Sequence, residues 1–133
     1  MKIGDSSIDK RNYNLIKKAL DVSTERSRVI ANNMANVNTA NYKRNYVVFE
    51  ENLREVSEKL ELKKTSNSHI NTASSEGEME IKRDETSSMR QDGNNVNIDL
   101  EKVNQAANTL TYNALINQIN GRFSTKRYII NGK

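Results

Sequence analysis

The chain has 133 residues, of which 35% are hydrophobic and 5% aromatic, with no Cys, Pro or Trp. The missing Cys excludes disulfides, a thiolate metal site and a cysteine nucleophile. A mean hydropathy of −0.85 is lean for a self-sufficient core and points to a small domain that buries enough surface only when it meets partners. The net charge of +4 is segmental: nine Lys or Arg against four Asp or Glu in residues 1–48, seven against eleven in 49–95, and five against two in 96–133.

Residues 1–7 are polar and lack a signal-peptide core, so export would need a route without a cleaved signal. They are expected to be disordered or to order only on assembly. A helical pattern then runs over about residues 7–36. Ile16, Leu20, Ile30, Met34 and Val37 form its stripe, Leu15, Ala19, Val22 and Val29 widen it, and Ser23 and Ser27 fill the middle. At 1.5 Å per residue, thirty residues make a rod of roughly 45 Å, which suits a bundle or coiled assembly.

That helix ends in an amide-rich stretch: Asn32, Asn33, Asn36, Asn38 and Asn41 fall within ten residues. Asn competes for backbone hydrogen bonds and so stops helices. Thr39 to Asn41 has turn chemistry, and Asn41 suits the left-handed conformation of a sharp reversal. Tyr42 opens an aromatic and β-branched run to Phe49 that reads as a short strand. The stretch reads as a joint that turns an extended arm away from the helix.

Residues 50–63 read as a short charged helix. From 64 to 95 Ser, Thr, Asn and Glu dominate, which predicts a flexible insertion with a hairpin near Gly77. Asp92-Gly93-Asn94-Asn95 is a turn signal. Asn97 or Asp99 then caps a second long helix over about 98–128. Leu100, Val103, Ala107, Leu110 and Ala114 make one stripe on it, and Leu115, Ile116, Ile119 and Phe123 continue on a shifted face. Tyr128-Ile129-Ile130 leaves an apolar end, and Asn131-Gly132 terminates the helix.

The fold class is therefore mainly α. Long N- and C-terminal helices (1–41 with the joint, and 96–133) form a coiled-coil-like hairpin around a flexible, partly β middle (42–95). Leu15, Ile16, Leu20, Ile30 and Met34 are expected to face Val103, Leu110, Leu115, Ile119 and Phe123, or the same residues of neighbouring copies. No constellation for an enzyme is visible. His69 is the one His and reads as a turn or surface residue. Glu76, Glu78 and Glu80 read as a solvated face. The glycines form no phosphate-cradling pattern. No cofactor, metal or small-molecule substrate is expected. The competing reading is a basic helical nucleic-acid-binding or adaptor protein, from Lys10, Arg11, Lys17, Lys18, Arg26 and Arg28. The acidic middle offsets these cations and no aromatic residues interleave with them, so no nucleic-acid partner is expected.

The joint itself carries a resemblance. Residues 31–43, Ala-Asn-Asn-Met-Ala-Asn-Val-Asn-Thr-Ala-Asn-Tyr-Lys, resemble the signature Ala-Asn-Asn-x-Ala-Asn-x-x-Thr-Pro-Gly-Tyr-Lys of the bacterial flagellar axial proteins, the rod and hook family. Val47-Val48-Phe49-Glu50 is similar to the family's strand-like continuation. Residues 64–70 with His69, residues 92–99, and the ending from Tyr112 to Tyr128 are similar to a proximal rod subunit. The likeness covers nearly the whole chain and is weakest over 71–90. Ala40-Asn41 replaces the family's Pro-Gly. Asn41 can supply the positive φ that Gly would give, while the loss of Pro loosens the turn.

The resemblance implies a structural subunit of the flagellar basal-body rod, the drive shaft that crosses the periplasm and transmits motor rotation for motility. It implies export through the flagellar type III apparatus. As partners it implies further copies of the chain, other rod proteins, and the adaptor and export gate at the rod base.

Overall fold

The computed structural model describes residues 8–58, 78–88 and 90–132. The elements in order are α1 (Ile8–Ala35), β1 (Asn45–Val48), α2 (Glu50–Glu58), β2 (Glu80–Arg83) and α3 (Ile98–Asn131). The fold is mainly helical, with α1 and α3 packed together and a small two-stranded β segment between them in the chain. The expectations for residues 1–7, His69, Glu76 and a turn at Gly77 lie outside the described residues.

α1 and α3 are antiparallel, since Tyr13 meets Phe123, Ser23 meets Asn108 and Asn33 meets Glu101. α1 presents two buried lines, each at seven-residue spacing. Ile16, Ser23 and Ile30 form one, and Val22 and Val29 form the other. A seven-residue repeat keeps a line on one side of a helix that packs in coiled-coil fashion. The first line runs towards α3. The second packs on Val47 and Phe49, with half-buried Leu53 of α2 against it. The small apolar core thus lies between α1 and the arm that leaves it.

The face of α3 turned to α1 is polar at one end and apolar at the other. Glu101 and Asn108 are buried, and Leu115 and Ile119 are half-buried. Asn108 Nδ2 donates to Ser23 O and to Ser27 Oγ, each at 2.8 Å, and Ser23 Oγ donates to Asn108 Oδ1 at 2.9 Å. Buried polar pairs of this kind specify register where greasy residues do not.

β1 and β2 pair antiparallel, with Asn45 opposite Arg83 and Val47 opposite Ile81. Two strands alone are marginal, and this pair is anchored from both sides. Val47 and Val48 are buried, and Asn52 Nδ2 of α2 donates to Glu78 O at 2.8 Å just before β2. Arg26 of α1 grips Glu50 with two hydrogen bonds of 3.1 and 2.7 Å, and these hold the Glu50 carboxyl below its ordinary pKa. Asn97 caps α3, its side chain accepting from Asp99 N and Leu100 N at 3.0 and 3.2 Å. Gly132, at φ 64, closes the other end by donating to Tyr128 O. Only a residue at ease with positive φ ends a helix this way without strain.

Candidate assembly joint

α1 stops by a relay of backbone and amide hydrogen bonds. Asn36 N donates to Asn32 O and Asn33 O, Thr39 N to Asn36 O, and Tyr42 N to Thr39 O. The Asn36 side chain reinforces this, donating to Asn32 O at 2.8 Å and accepting from Thr39 Oγ1 at 3.1 Å. Asn41 then reverses the chain at φ 58. Its N–H donates to Asp92 O at 2.7 Å, which joins this turn to the one before α3.

That second turn supplies the deepest contact. Asn94 is fully buried, and its Nδ2 donates to the carbonyls of Asn36, Val37 and Thr39 at 2.9, 3.1 and 2.9 Å. These carbonyls belong to the turn that follows α1, and one amide from 58 residues away braces all three. Arg90 Nη1 adds a bond to Val37 O at 2.9 Å. Gly93 sits at φ 72, and a Cβ there would lie 2.8 Å from Asn41 Oδ1. Gly93→Ala is expected to destabilise the subunit by about 1–2 kcal/mol through positive-φ strain and crowding. Asn94→Ala should exceed that, because it removes three bonds to the turn after α1 and leaves the buried Val96 N–H without its acceptor. Urea unfolding of the two variants reads the order directly, and a reversed order would contradict it.

Below the turn lies a second buried hub. Asn33 is fully buried and uses both ends of its amide. Nδ2 donates to Asn45 O at 2.8 Å and Glu101 Oε2 at 3.1 Å, while Oδ1 accepts from Asn45 N at 3.0 Å and Tyr42 Oη at 3.3 Å. Glu101, also fully buried, accepts from Arg44 Nε at 2.6 Å. Arg44 N donates to Asn95 Oδ1 at 2.7 Å, and Asn95 Nδ2 to Asp84 O at 2.9 Å. Asp84 is held below its ordinary pKa, chiefly by hydrogen bonds from Thr86. Three segments remote in sequence, the end of α1, the start of the arm and the start of α3, thus meet on one polar network. Among the described residues no three His, Cys, Asp or Glu side chains converge as a metal site requires.

Of the residues singled out in the sequence, Asn33, Asn36, Thr39, Asn41 and Tyr42 are in the joint, while Asn32 and Asn38 are exposed beside it. Ile16 and Ile30 are buried; Leu20, Met34, Val37, Leu115 and Ile119 are half-buried; Leu15 is 39% exposed. Phe123 is 45% exposed and tilts against Tyr13. Val103 and Leu110 do not meet α1 within the chain, being 65% and 71% exposed. The side of α3 that α1 occupies is the line through Glu101, Asn108 and Leu115, and the Val103–Leu110 line points elsewhere. Sequence reasoning does not place Arg44, Asn94, Asn95, Glu101 and Asn108 in the joint or the seam. A signal for two of them exists, because Glu101, Asn108 and Leu115 fall at seven-residue steps.

No protein-family model matches the chain. It is similar, however, to the flagellar basal body rod protein FlgB of Bacillus subtilis (strain 168), 33% identical over 117 residues that cover 88% of this chain and 91% of that protein. The chain belongs to the FlgB family. FlgB of Borrelia hermsii is 35% identical, covering 88% of this chain and 90% of its own length. FlgB of Borreliella burgdorferi is 32% identical, covering 80% and 86%. A match of 117 residues in a chain of 133 necessarily includes the joint from Asn33 to Glu101. The alternative of a basic nucleic-acid-binding helix finds no support among these relatives.

Proposed function

We propose that this chain is a structural, non-enzymatic subunit of the flagellar basal-body rod, part of the drive shaft that crosses the periplasm. It reaches that position through the flagellar type III apparatus. There it assembles with further copies of itself, with other rod proteins, and with the adaptor and export gate at the rod base. The joint of Asn32, Asn33, Asn36, Asn38, Thr39, Asn41 and Tyr42 fixes the arm against the hairpin so that each subunit enters the rod in one shape.

The observation that carries this reading is the outward line of α3. Leu100, Val103 and Leu110 are 47%, 65% and 71% exposed along one side of a continuous helix. A row of large apolar side chains on a small domain marks a surface that partners cover. Leu110→Asp should therefore leave the helix content and unfolding midpoint of the isolated subunit within about 0.5 kcal/mol of wild type. In cells it should abolish rods and motility, because a charge would be buried between subunits. Normal rods built from Leu110→Asp would overturn the proposed packing. A fully motile deletion strain would overturn the rod assignment itself.

A further inference from the structure

Of the five glycines in the chain, three follow an Asn or Asp: Gly93, Gly121 and Gly132. Such pairs are prone to ring closure, because glycine has no Cβ to keep its backbone nitrogen from the preceding side-chain carbonyl carbon. The three stand in different surroundings. Asn120-Gly121 lies inside α3, where regular hydrogen bonding ties up the Gly121 N–H and the Asn120 side chain tilts away from it, towards the helix N-terminus. Asp92-Gly93 sits in the turn before α3. There Gly93 N donates to Arg90 O at 3.1 Å, and the Asp92 carboxylate accepts from Arg90 Nη2 at 2.7 Å and Asn94 N at 3.1 Å. An ionised carboxylate is also a poor target for attack. Asn131-Gly132 stands at the end of α3 with both residues exposed, held by the cap bond from Gly132 N to Tyr128 O at 2.9 Å.

We propose that Asn131 is a site of spontaneous modification by water, converted with time to aspartate and isoaspartate, while the helix protects Asn120. When the last turn opens, the Gly132 nitrogen gives up its proton and attacks Asn131 Cγ. The N–Cγ bond forms, the Cγ–Nδ2 bond breaks, and the side-chain nitrogen leaves with that proton as ammonia. Water then opens the cyclic imide. Opening at Cγ restores the ordinary backbone and leaves an aspartate. Opening at the backbone carbonyl carbon of residue 131 leaves the chain running through Cγ, as isoaspartate. Water is the only co-reactant, and nothing is oxidised or reduced.

Helix ends open far more readily than helix interiors. The neighbours of Asn131 offer little resistance, since Tyr128, Ile129 and Ile130 are 65%, 72% and 82% exposed. Around Asn120, by contrast, Ile119 and Arg122 are half-buried and Phe123 rests on Tyr13, so opening there requires α3 to leave α1. The product changes the helix end. From Lys102 to Lys133 the chain carries five cationic side chains and no acidic one, and the new carboxylate is placed at the negative end of the helix dipole. Isoaspartate also lengthens the backbone by a carbon and spoils the geometry of the Gly132 cap. Both products loosen the turn that presents Tyr128, Ile129 and Ile130. The reaction depends on the helix end alone and holds whether or not the chain enters a rod.

The full chain is incubated at mildly alkaline pH and growth temperature, sampled over days and digested with trypsin. Mass spectrometry with fragmentation reads the Asn-to-Asp mass gain at each position, and a synthetic peptide of residues 127–133 serves as the unstructured reference. The modified fraction at Asn131 should grow at least about tenfold faster than at Asn120, in both aspartate and isoaspartate forms. In guanidinium chloride Asn120 should catch up. Gly132→Ala should slow the reaction at Asn131 by roughly tenfold, because a Cβ then obstructs the attacking nitrogen.

Intact Asn131 after the reference peptide has reacted would overturn the site. Equal rates at the two positions in the folded chain, or an Asn120 that denaturant does not accelerate, would overturn protection by the helix. Aspartate without isoaspartate, or a Gly132→Ala rate equal to wild type, would overturn the ring-closure route.

Discussion

Arg44→Met is expected to lower the unfolding free energy of the subunit by about 3 kcal/mol or more, the largest effect of any single substitution outside the apolar core. Glu101 is fully buried and takes its strongest bond from Arg44 Nε at 2.6 Å. Met keeps the packing of the arginine stem but removes the cation, so a carboxylate is left in the interior with the Asn33 amide as its remaining contact. The positive end of α3, one turn from Asn97, offsets part of this charge but not all of it. Against a typical total of about 5–15 kcal/mol, such a loss removes between about a fifth and more than half of the stability. Arg44→Met/Glu101→Gln should recover most of it, because a neutral side chain can still accept from Asn33 and needs no counter-charge. Urea unfolding of the two singles and the double closes the cycle. A loss under about 1 kcal/mol for Arg44→Met, or a double variant less stable than either single, would contradict the network as described.

Asn33→Asp should be worse than Asn33→Ala, although Asp has nearly the shape of Asn. Ala orphans the half-buried Asn45 N–H and C=O and should cost about 2–3 kcal/mol. Asp replaces the donating Nδ2 with an oxygen facing Asn45 O and Glu101 Oε2, which stand 2.8 and 3.1 Å from that atom. The cation of this hub, Arg44, is already engaged by Glu101, so the second carboxylate gains no counter-charge of its own. A fall of roughly 10 °C in Tm for Ala, and more for Asp, is the expected order in thermal unfolding followed by circular dichroism. If Asp were the better tolerated of the two, the donating role of the Asn33 amide would be wrong.

Several features of this fold are legible from local chemistry alone. Helix ends can be read because caps are short-range: Asn97 and Gly132 act on residues within one turn. The reversal at Asn41 can be read for the same reason, since left-handed φ is a property of the residue itself. The Asn cluster after residue 31 announces a joint because amides at a helix end have backbone to bind. The partners of those amides are not legible. Asn94 reaches carbonyls more than fifty positions earlier, and nothing in Asp92-Gly93-Asn94-Asn95 distinguishes an ordinary turn from one that braces another. Glu101 reads as a first-turn acid suited to the helix dipole, so its burial against Arg44 is hidden behind a sufficient local explanation. β2 is legible only as a solvated strand or loop face near an expected hairpin, because Glu80, Lys82 and Arg83 are exposed and its pairing depends on β1. The apolar line of Val103 and Leu110 is visible, but a period alone does not say whether a stripe meets its own chain or another's.

The hydrogen bonds between α1 and α3 also bear on how the hairpin takes a load. Two levels of them, Ser23 and Ser27 with Asn108, and Asn33 with Glu101, are about 10 Å apart along α3. Packed helices commonly yield by sliding past one another in small increments. An interface of Leu and Ile alone tolerates this, because one apolar contact replaces another. Here any axial slip breaks directional bonds at both levels at once and strands buried polar atoms, so the two helices behave as one strut in shear. A subunit of a rotating shaft gains from that: torque applied at one end of the hairpin arrives at the other without loss in the seam between them.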